Sequence, residues 1–566
     1  MGLILELRRR NVFRMAALYL VSAWLVMQVA EVFMTLAGLS EWAGRALLVV
    51  LAVGFPISLI LSWIYELTPE GIGLEKDIEP YESITHITGR RLDFVVIALL
   101  CAAVLVFAAD KWWPRGPVER SVAVLPFVNL SDDPEQEYYS EGVAGDILNQ
   151  LAKIPNLKVI SRTSAFSFKG QNIDIPTIAA RLNVAHILKG SIRRSGDRLR
   201  VTTQLIDAQS DTHLWSETYD RELDDIFAIH NEVAKAVADA LEVVIVDDGI
   251  EVPETDLAAY ELYLQALQIA SNFGAECTRQ SVKLLQEVLA IDRDYAPAST
   301  LMGRLYRAQA STFGMRDIHE GNELARHAIQ QALAIDPRSS EALAALAEIE
   351  FVYTRDVDSA TEHLRQAMAL SLGDQPTLWI AAKLKLQMGE FEKSIRLSER
   401  LVDIDPAFPG AQTMLGWAYW WAGRLDDAQS SFRIATSQTG FGLIKCSLAL
   451  VLLSKGDAQA ALNYIDSFDG LQCSRAQALI YHALGDELAS DRSLDTWVQD
   501  MGQSGAYQIA EIHAYRGDAD LAFEWLEIAD EQYDGGIANL YMDPHFLNLH
   551  DDPRWQPLVD EIGLWR

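Results

Sequence analysis

Apolar and polar positions fall into three successive regimes along the chain. Met15 to Gly38 is almost wholly apolar, Ala46 to Leu67 is a second such run, and Leu92 to Ala109 is a third. Each is long enough to cross about 30 Å of hydrocarbon as a helix. The pattern therefore predicts a membrane domain over residues 1–115, with transmembrane helices at about 15–38, 46–67 and 92–110. Short apolar runs then alternate with amphipathic ones. Ser121 to Phe127, Lys158 to Ser161, His186 to Ser195, Leu199 to Asp207 and His213 to Tyr219 read as strands, while Tyr139 to Leu151, Ile175 to Leu182 and Leu223 to Leu241 read as helices. Ser195-Gly196-Asp197 is a hairpin signal between two of the strands. These elements predict a small α/β domain over 118–246. From Leu257 onward the strand pattern stops, and amphipathic helix pairs recur with short polar turns between them.

The clearest copy of that helix pair is LGWAYWWAGRLDDAQSSFRIA, Leu415 to Ala435, with Gly416, Tyr419, Gly423, Ala428, Phe432 and Ala435 at its small and large packing positions. A step of 34 residues back from Gly423 lands on Gly389, with Pro406 closing that unit, and a further step places Ala360 and Ala367 on the paired small positions. An earlier unit from Ala296 has Gly303, Tyr306, Ala325 and Ala332 in place, with a longer turn around Ser311 to His319. Weaker copies at Asp256 to Tyr295, Gly442 to Gly470, Leu471 to Gly502 and from Gln503 onward bring the total to about eight. The pattern resembles tetratricopeptide repeats over 256–535, followed by a capping segment at 536–566 that breaks the period. A single repeat cannot bury its own apolar face, so stacking implies a continuous right-handed solenoid with a concave groove. The expected architecture is multidomain: transmembrane α-helices, then a small α/β domain, then an all-α tetratricopeptide superhelical solenoid.

In tetratricopeptide proteins the first helix of each repeat lines the groove. The matching positions here include Tyr353, Trp379, Lys383, Trp417, Trp420 and Trp421. Tyr and Trp often dominate binding energy, so these residues form the candidate surface for a protein or peptide. The competing expectation is that some of them serve as core between repeats.

The segments SVAVLPFVNLSDDPEQEYYSEGVAGDILNQL, VISRTSAFSFKGQ, HILKGSIRRSGDRLRVTTQLIDAQSDTHLWSETYDREL and IFAIHNEVAKAVADAL together resemble the TolB N-terminal-like (FlgO-like) domain from Ser121 to about Leu241. Related chains join that module to DNA-binding, nucleotide-cyclase or kinase domains and to tetratricopeptide repeats, and some bear cyclase-like names by association. The resemblance implies an envelope or signalling context and supplies no catalytic residues.

Charge sets the orientation and narrows the partners. Arg8, Arg9, Arg10 and Arg14 precede the first apolar run, and Lys76, Arg90 and Arg91 lie between the second and third. Basic short loops stay cytoplasmic, which sends everything after about residue 111 across a bacterial inner membrane into the periplasm. The net charge of −32 repels phosphate backbones and argues against nucleic acid as a partner. The remaining partners are the lipid bilayer and a protein, with homo-oligomerisation left open. Of the four cysteines, Cys446 and Cys473 are able to pair in an oxidising compartment, although buried thiols between helices are the commoner outcome.

The chain carries no Walker loop, HExxH, GxSxG or dinucleotide fingerprint, and the spacing of His545, His550 and Asp551 suits no standard metal site. No catalytic, cofactor or metal residues are expected, and the chain is expected not to be an enzyme. The function expected is a membrane-anchored periplasmic protein-binding scaffold. The alternative is a transmembrane signal transducer that couples periplasmic binding to a cytoplasmic partner.

Overall fold

The computed structural model describes residues 118–566 apart from 132, 134–135, 244–252, 273, 372, 440–441, 469–472, 502–504 and 566, and before them positions 16, 19, 23, 51 and 55 and the segments 65–68 and 71–74. Two compact units emerge, Met1–Gly116 and Pro117–Arg566.

In the first unit Ala16, Tyr19, Ala23, Leu51 and Phe55 are helical. The Tyr19 hydroxyl donates to the Leu51 carbonyl at 2.8 Å, and the Tyr19 and Phe55 rings lie 5.6 Å apart. Strand β1 (Tyr65–Thr68) pairs antiparallel with β2 (Gly71–Leu74). This corrects one expectation: the second span does not remain helical to Leu67, where the chain instead forms a hairpin. Pro69 disfavours helix in the residue before it. Otherwise the three predicted spans lie outside the described residues, among which no helix is long and apolar enough to cross a membrane.

The second unit opens with a mixed sheet. Its strands are β3 (Val118–Val124), β4 (Val128–Asn129), β5 (Lys158–Val159), β6 (Val184–Ser195), β7 (Arg198–Asp207) and β8 (Thr212–Glu222). The order is β5-β3-β6-β7-β8, with β4 against β6; β3 runs parallel to β5 and β6, and β6, β7 and β8 form an antiparallel meander. Alternation along β3 assigns its faces: Val122 and Val124 pack under α1 (Glu137–Ala152) and α4 (Ile226–Ala240), whereas Ala123 packs under α2 (Arg162–Phe166) and α3 (Ile175–Leu182). Asp174 begins α3 by accepting from the Thr177 amide at 2.8 Å, which satisfies one of the donors left open at a helix start.

Antiparallel helix pairs follow: α5 (Leu257–Ala270) with α6 (Ala275–Ile291), α7 (Ala296–Ser311) with α8 (Ile318–Ile335), α9 (Ser340–Ile349) with α10 (Val357–Leu370), and α11 (Gln375–Gln387) with α12 (Phe391–Ile404). The series continues with α13 (Pro409–Trp421) and α14 (Leu425–Gln438), α15 (Gly442–Ser454) and α16 (Ala458–Asp466), α17 (Ser474–Ala483) and α18 (Glu487–Met501), and α19 (Ala506–Arg516) and α20 (Ala519–Glu531). The chain is thus mostly helical, with a small mixed-sheet domain and a tetratricopeptide-like helical region. The small residues Ala360, Ala367, Ala428 and Ala435 are fully buried where paired helices touch. Gly389 and Gly423 turn each pair with φ of +74° and +76°, a conformation that costs glycine little. In the α9–α10 pair the corresponding residue is Arg355, at φ +56°, preceded by a π-helical turn over Glu350–Thr354.

Two joints complete this unit. At the first, the α/β module rests on the solenoid. The Ser164 hydroxyl donates to buried Asp405 at 2.6 Å, the Ser161 amide donates to the Ile404 carbonyl at 2.8 Å, Lys158 pairs with Asp403 at 2.6 Å, and Arg194 pairs with Glu261 at 2.6 Å. Gly142 is part of the same joint, since a Cβ there would lie 2.4 Å from the Leu264 side chain.

At the second joint the solenoid closes on itself. After α20, two 3-10 turns (Gly535–Asn539 and Pro544–Leu549) and α21 (Trp555–Ile562) fold back onto α9 and α11. Phe351, Ile380 and Leu384 share a core with Tyr507, Phe546 and Trp555. Gln387 donates to Asn539 at 2.9 Å, and the Trp565 indole donates to the Gln387 carbonyl at 3.0 Å. The expected open groove is therefore closed into a ring, because the capping segment carries enough apolar surface to pack against α9 and α11.

Candidate functional site

The inner face of the ring forms a cavity of about 930 Å³ that is partly open to solvent. The first helix of successive pairs forms most of its wall, namely α7, α9, α11, α13, α15, α17 and α19, with Ile329 of α8 and Trp497 of α18 added, and the returning segment from Asp534 to Asp543 completes it. Side chains face inward here because each second helix spends its small, apolar face on its own partner and its neighbours.

Five of the six candidate residues line this cavity: Trp379, Lys383, Trp417, Trp420 and Trp421. Trp379, Trp417 and Trp421 are half-buried. Trp420 is only 7% exposed; its indole donates to Ser454 at 3.0 Å, and its ring lies 5.8 Å from that of His545, so it serves mainly as core. Tyr353 stands elsewhere. It lies on the π-helical turn, with its ring 5.4 Å from Tyr533 and 5.8 Å from His319, at the seam where the ring closes.

One wall carries a charge cluster absent from the candidate set. The Glu348 side chain, 12% exposed, accepts from Lys383 at 2.9 Å and from Arg307 at 3.2 Å through the same oxygen. Burial pushes its carboxyl up, but Arg307 and Lys383 outweigh that and hold it at about 2. Arg304, one turn before Arg307, pairs with Glu341. The periodicity offered a signal for Glu348, since Lys383 and Trp417 are 34 residues apart and a further step back reaches Ile349, its neighbour. No sequence signal pointed to the returning segment, because its contribution depends on the closure.

Across the cavity lies a buried ionic network. Arg475 donates two bonds to Glu511, both at 2.6 Å, and His545 contacts Glu511 at 2.8 Å and Asp543 at 3.0 Å, while the Tyr507 hydroxyl donates to Asp543 at 3.0 Å. Burial pushes the His545 imidazole down, yet the bonds from Asp543 and Glu511 prevail and raise it to about 9, so it is protonated near neutrality. Glu511, Asp543 and His545 have the donor types of a metal site. Arg475 already occupies both Glu511 oxygens, and the protonated imidazole is a donor, which gives the trio the character of an ion-pair network.

Cys446 and Cys473 form a disulfide, with Cα atoms 5.6 Å apart, in place of the buried thiols that seemed the commoner outcome. It links α15 to the residue before α17.

No family model matches the chain. A curated protein of Rhizobium meliloti (strain 1021), named "Putative adenylate cyclase 3", is 37% identical over 238 residues, which is 40% of this chain and 39% of that protein. The chain thus spans well under half of that relative's length. This relative, which bears a cyclase's name, overturns the expectation that the chain is not an enzyme, which rested only on the absence of familiar motifs. Among solved structures, a tetratricopeptide repeat protein from Parabacteroides merdae is 12% identical, covering 47% of this chain and 100% of that one with a TM-score of 0.34. PilW, a widely conserved type IV pilus biogenesis factor, is 16% identical over 44% of this chain and 94% of its own, with a TM-score of 0.28. YrrB, a tetratricopeptide protein with an unusual peptide-binding site, is 14% identical over 37% of this chain and 97% of its own, with a TM-score of 0.25.

Proposed function

We propose that the chain is a membrane-anchored scaffold of the bacterial inner membrane, with its TolB-like module and its ring in the periplasm and a protein partner docked against the aromatic wall of the ring. The observation that carries this reading is the convergence of Trp379, Lys383, Trp417 and Trp421 from α11 and α13 on one concave surface. Rigid indoles lose little conformational freedom on binding and cover large areas, which suits them to hold a partner. The Cys446–Cys473 disulfide supports an oxidising compartment, and the three apolar runs with their basic flanks support the anchor and its direction.

Reporter fusions after Gly116 and after Arg566 test the placement, and periplasmic activity at both is the expected result. Photocrosslinkers in place of Trp417 and Trp421, compared with one at Arg433 on the outer helix α14, test the docking. The expected result is one partner captured from the inner positions and not from the outer one.

A second reading, favoured by the 37% identical relative, is participation in cyclic nucleotide synthesis. Purified full-length protein supplied with ATP and magnesium would form cyclic AMP on that reading, and absence of product would remove it.

A further inference from the structure

We propose that the cavity inside the ring is a binding site for a compact ligand that joins one anionic group to a flat apolar body. The inference stands on the cavity's own chemistry and goes beyond the scaffold reading.

The cationic wall is under-compensated. Arg304, Arg307 and Lys383 line it, and the carboxylate among them is Glu348, one oxygen of which serves both Arg307 and Lys383. Arg307 Nε is buried with no hydrogen-bond partner among the described residues. Arg304 draws on Glu341, which is not part of the lining and sits near Asp374, itself outside the net of direct bonds to Arg307 and Lys383. The field at this wall is positive enough to hold the buried Glu348 carboxyl at about 2. A second carboxylate or a phosphate placed there would find unfilled donors in a partly dry setting, where charge-assisted bonds are strongest.

The anions on the far side are already committed. Asp543 accepts from Tyr507 and His545, Asp534 accepts from the Gly536 and Tyr507 amides at 2.8 and 3.1 Å, and Glu511 holds Arg475. They therefore exert little pull on a cation, and selectivity falls to the Arg307–Lys383 side.

Next to that wall stand Trp379, Trp417, Trp421 and Phe408, with the Trp379 and Phe408 rings 5.7 Å apart at a steep angle. Such faces accept a flat group by offset stacking or edge contact. A volume of about 930 Å³ lies within the range of about 300–1,000 Å³ typical of small-molecule sites. The returning segment bounds the space on the side where an open solenoid would leave a groove, which favours a compact ligand over an extended one.

Three indole probes of nearly equal size test the proposal by calorimetry on the full-length protein in detergent: indole-3-acetate, indole-3-acetamide and tryptamine. The anion is expected to bind with Kd below about 1 mM and at least about tenfold more tightly than the cation. Lys383→Gln should cut that preference severalfold. Glu348→Gln should tighten indole-3-acetate by about tenfold, since it removes the competing carboxylate; a misfolded variant cannot mimic this gain. Equal affinities for the three probes, no binding of any of them, or a charge preference unchanged in both variants would overturn the proposal. Each of those results leaves the scaffold reading to its own crosslinking test.

Discussion

Arg355 and Asp530 form an ion pair at 2.5 Å that joins the α9–α10 turn to the end of α20. The same guanidinium lies over the Tyr533 ring at 5.2 Å. Arg355 occupies the left-handed position that glycine holds in the later turns, at a backbone cost of about 1 kcal/mol. The two contacts with the returning segment offset that cost, so a local irregularity in the repeat is where the ring is fastened.

Removing the partner should loosen the closure without unfolding the solenoid. Asp530→Ala is expected to weaken docking of the returning segment by about 1–3 kcal/mol, because the buried guanidinium loses a charge-assisted bond. Hydrogen exchange over 535–565 would show faster exchange there and unchanged protection in α13 and α14.

Protonation of His545 should make the closure pH-dependent. Its folded pKa of about 9 exceeds the unfolded value of about 6.5. The stabilisation is therefore fully present below pH ~6.5 and is lost as pH rises through ~9, on the order of 3 kcal/mol in all. Thermal denaturation across that window should show a falling midpoint in the wild type and a flatter profile in His545→Gln. A wild-type midpoint that rises over the same window would refute the assignment.

Asp405 should act in the same direction at the module joint, but in a lower pH window. Burial pushes its carboxyl up to about 6 despite the bond from Ser164. Its folded pKa lies above the unfolded value of about 3.9, so the joint is strongest below that pH and loses stability as pH rises through about 6. Ser164→Ala removes the hydroxyl that donates to Asp405 and accepts from the Ala407 amide, and should cost about 1–3 kcal/mol. Urea unfolding followed at pH 5 and pH 7.5 measures both effects.

The disulfide closes a separation of 27 residues, which corresponds to about 3.5 kcal/mol of stabilisation in the chain-entropy account. Reductant, or the Cys446→Ser and Cys473→Ser pair, should lower the unfolding free energy by a similar amount, whereas Cys277→Ser should not. Thiol counting on protein unfolded without reductant checks the pairing directly.

The α/β module was largely legible from the sequence because its strands follow a period of two and its turns carry explicit signals: the Ser195-Gly196-Asp197 hairpin lies between β6 and β7, and α3 spans Ile175–Leu182 as the pattern predicts. The helix pairs were legible for a related reason, since Gly389 and Gly423 mark the turns. The closure was hidden. It depends on residues far apart in sequence, such as Gln387 with Asn539, and no local periodicity encodes such a meeting. Tyr353 was assigned to the concave wall by register, but the π-helical turn over Glu350–Thr354 carries it to the seam. The charge cluster around Glu348 was overlooked because isolated carboxylates on helices are usually solvated, and only the neighbouring first helices bring Arg307 and Lys383 to the same oxygen.

An open solenoid can gain or lose a repeat with little penalty, because each unit meets only its neighbours and stability adds up along a line. Here the line is bent into a circle, and the circumference becomes a constraint. A duplicated or deleted pair between α11 and α19 would move Asn539 away from Gln387 and Asp530 away from Arg355 together, and the ends would miss each other. Cooperativity should change accordingly: the last pair must be in place before α9 and α11 are fully buried, which couples distant parts of the chain and raises the sequence separation that folding must bridge. In this protein the number of repeats is fixed by geometry, as the number of staves is fixed in a barrel.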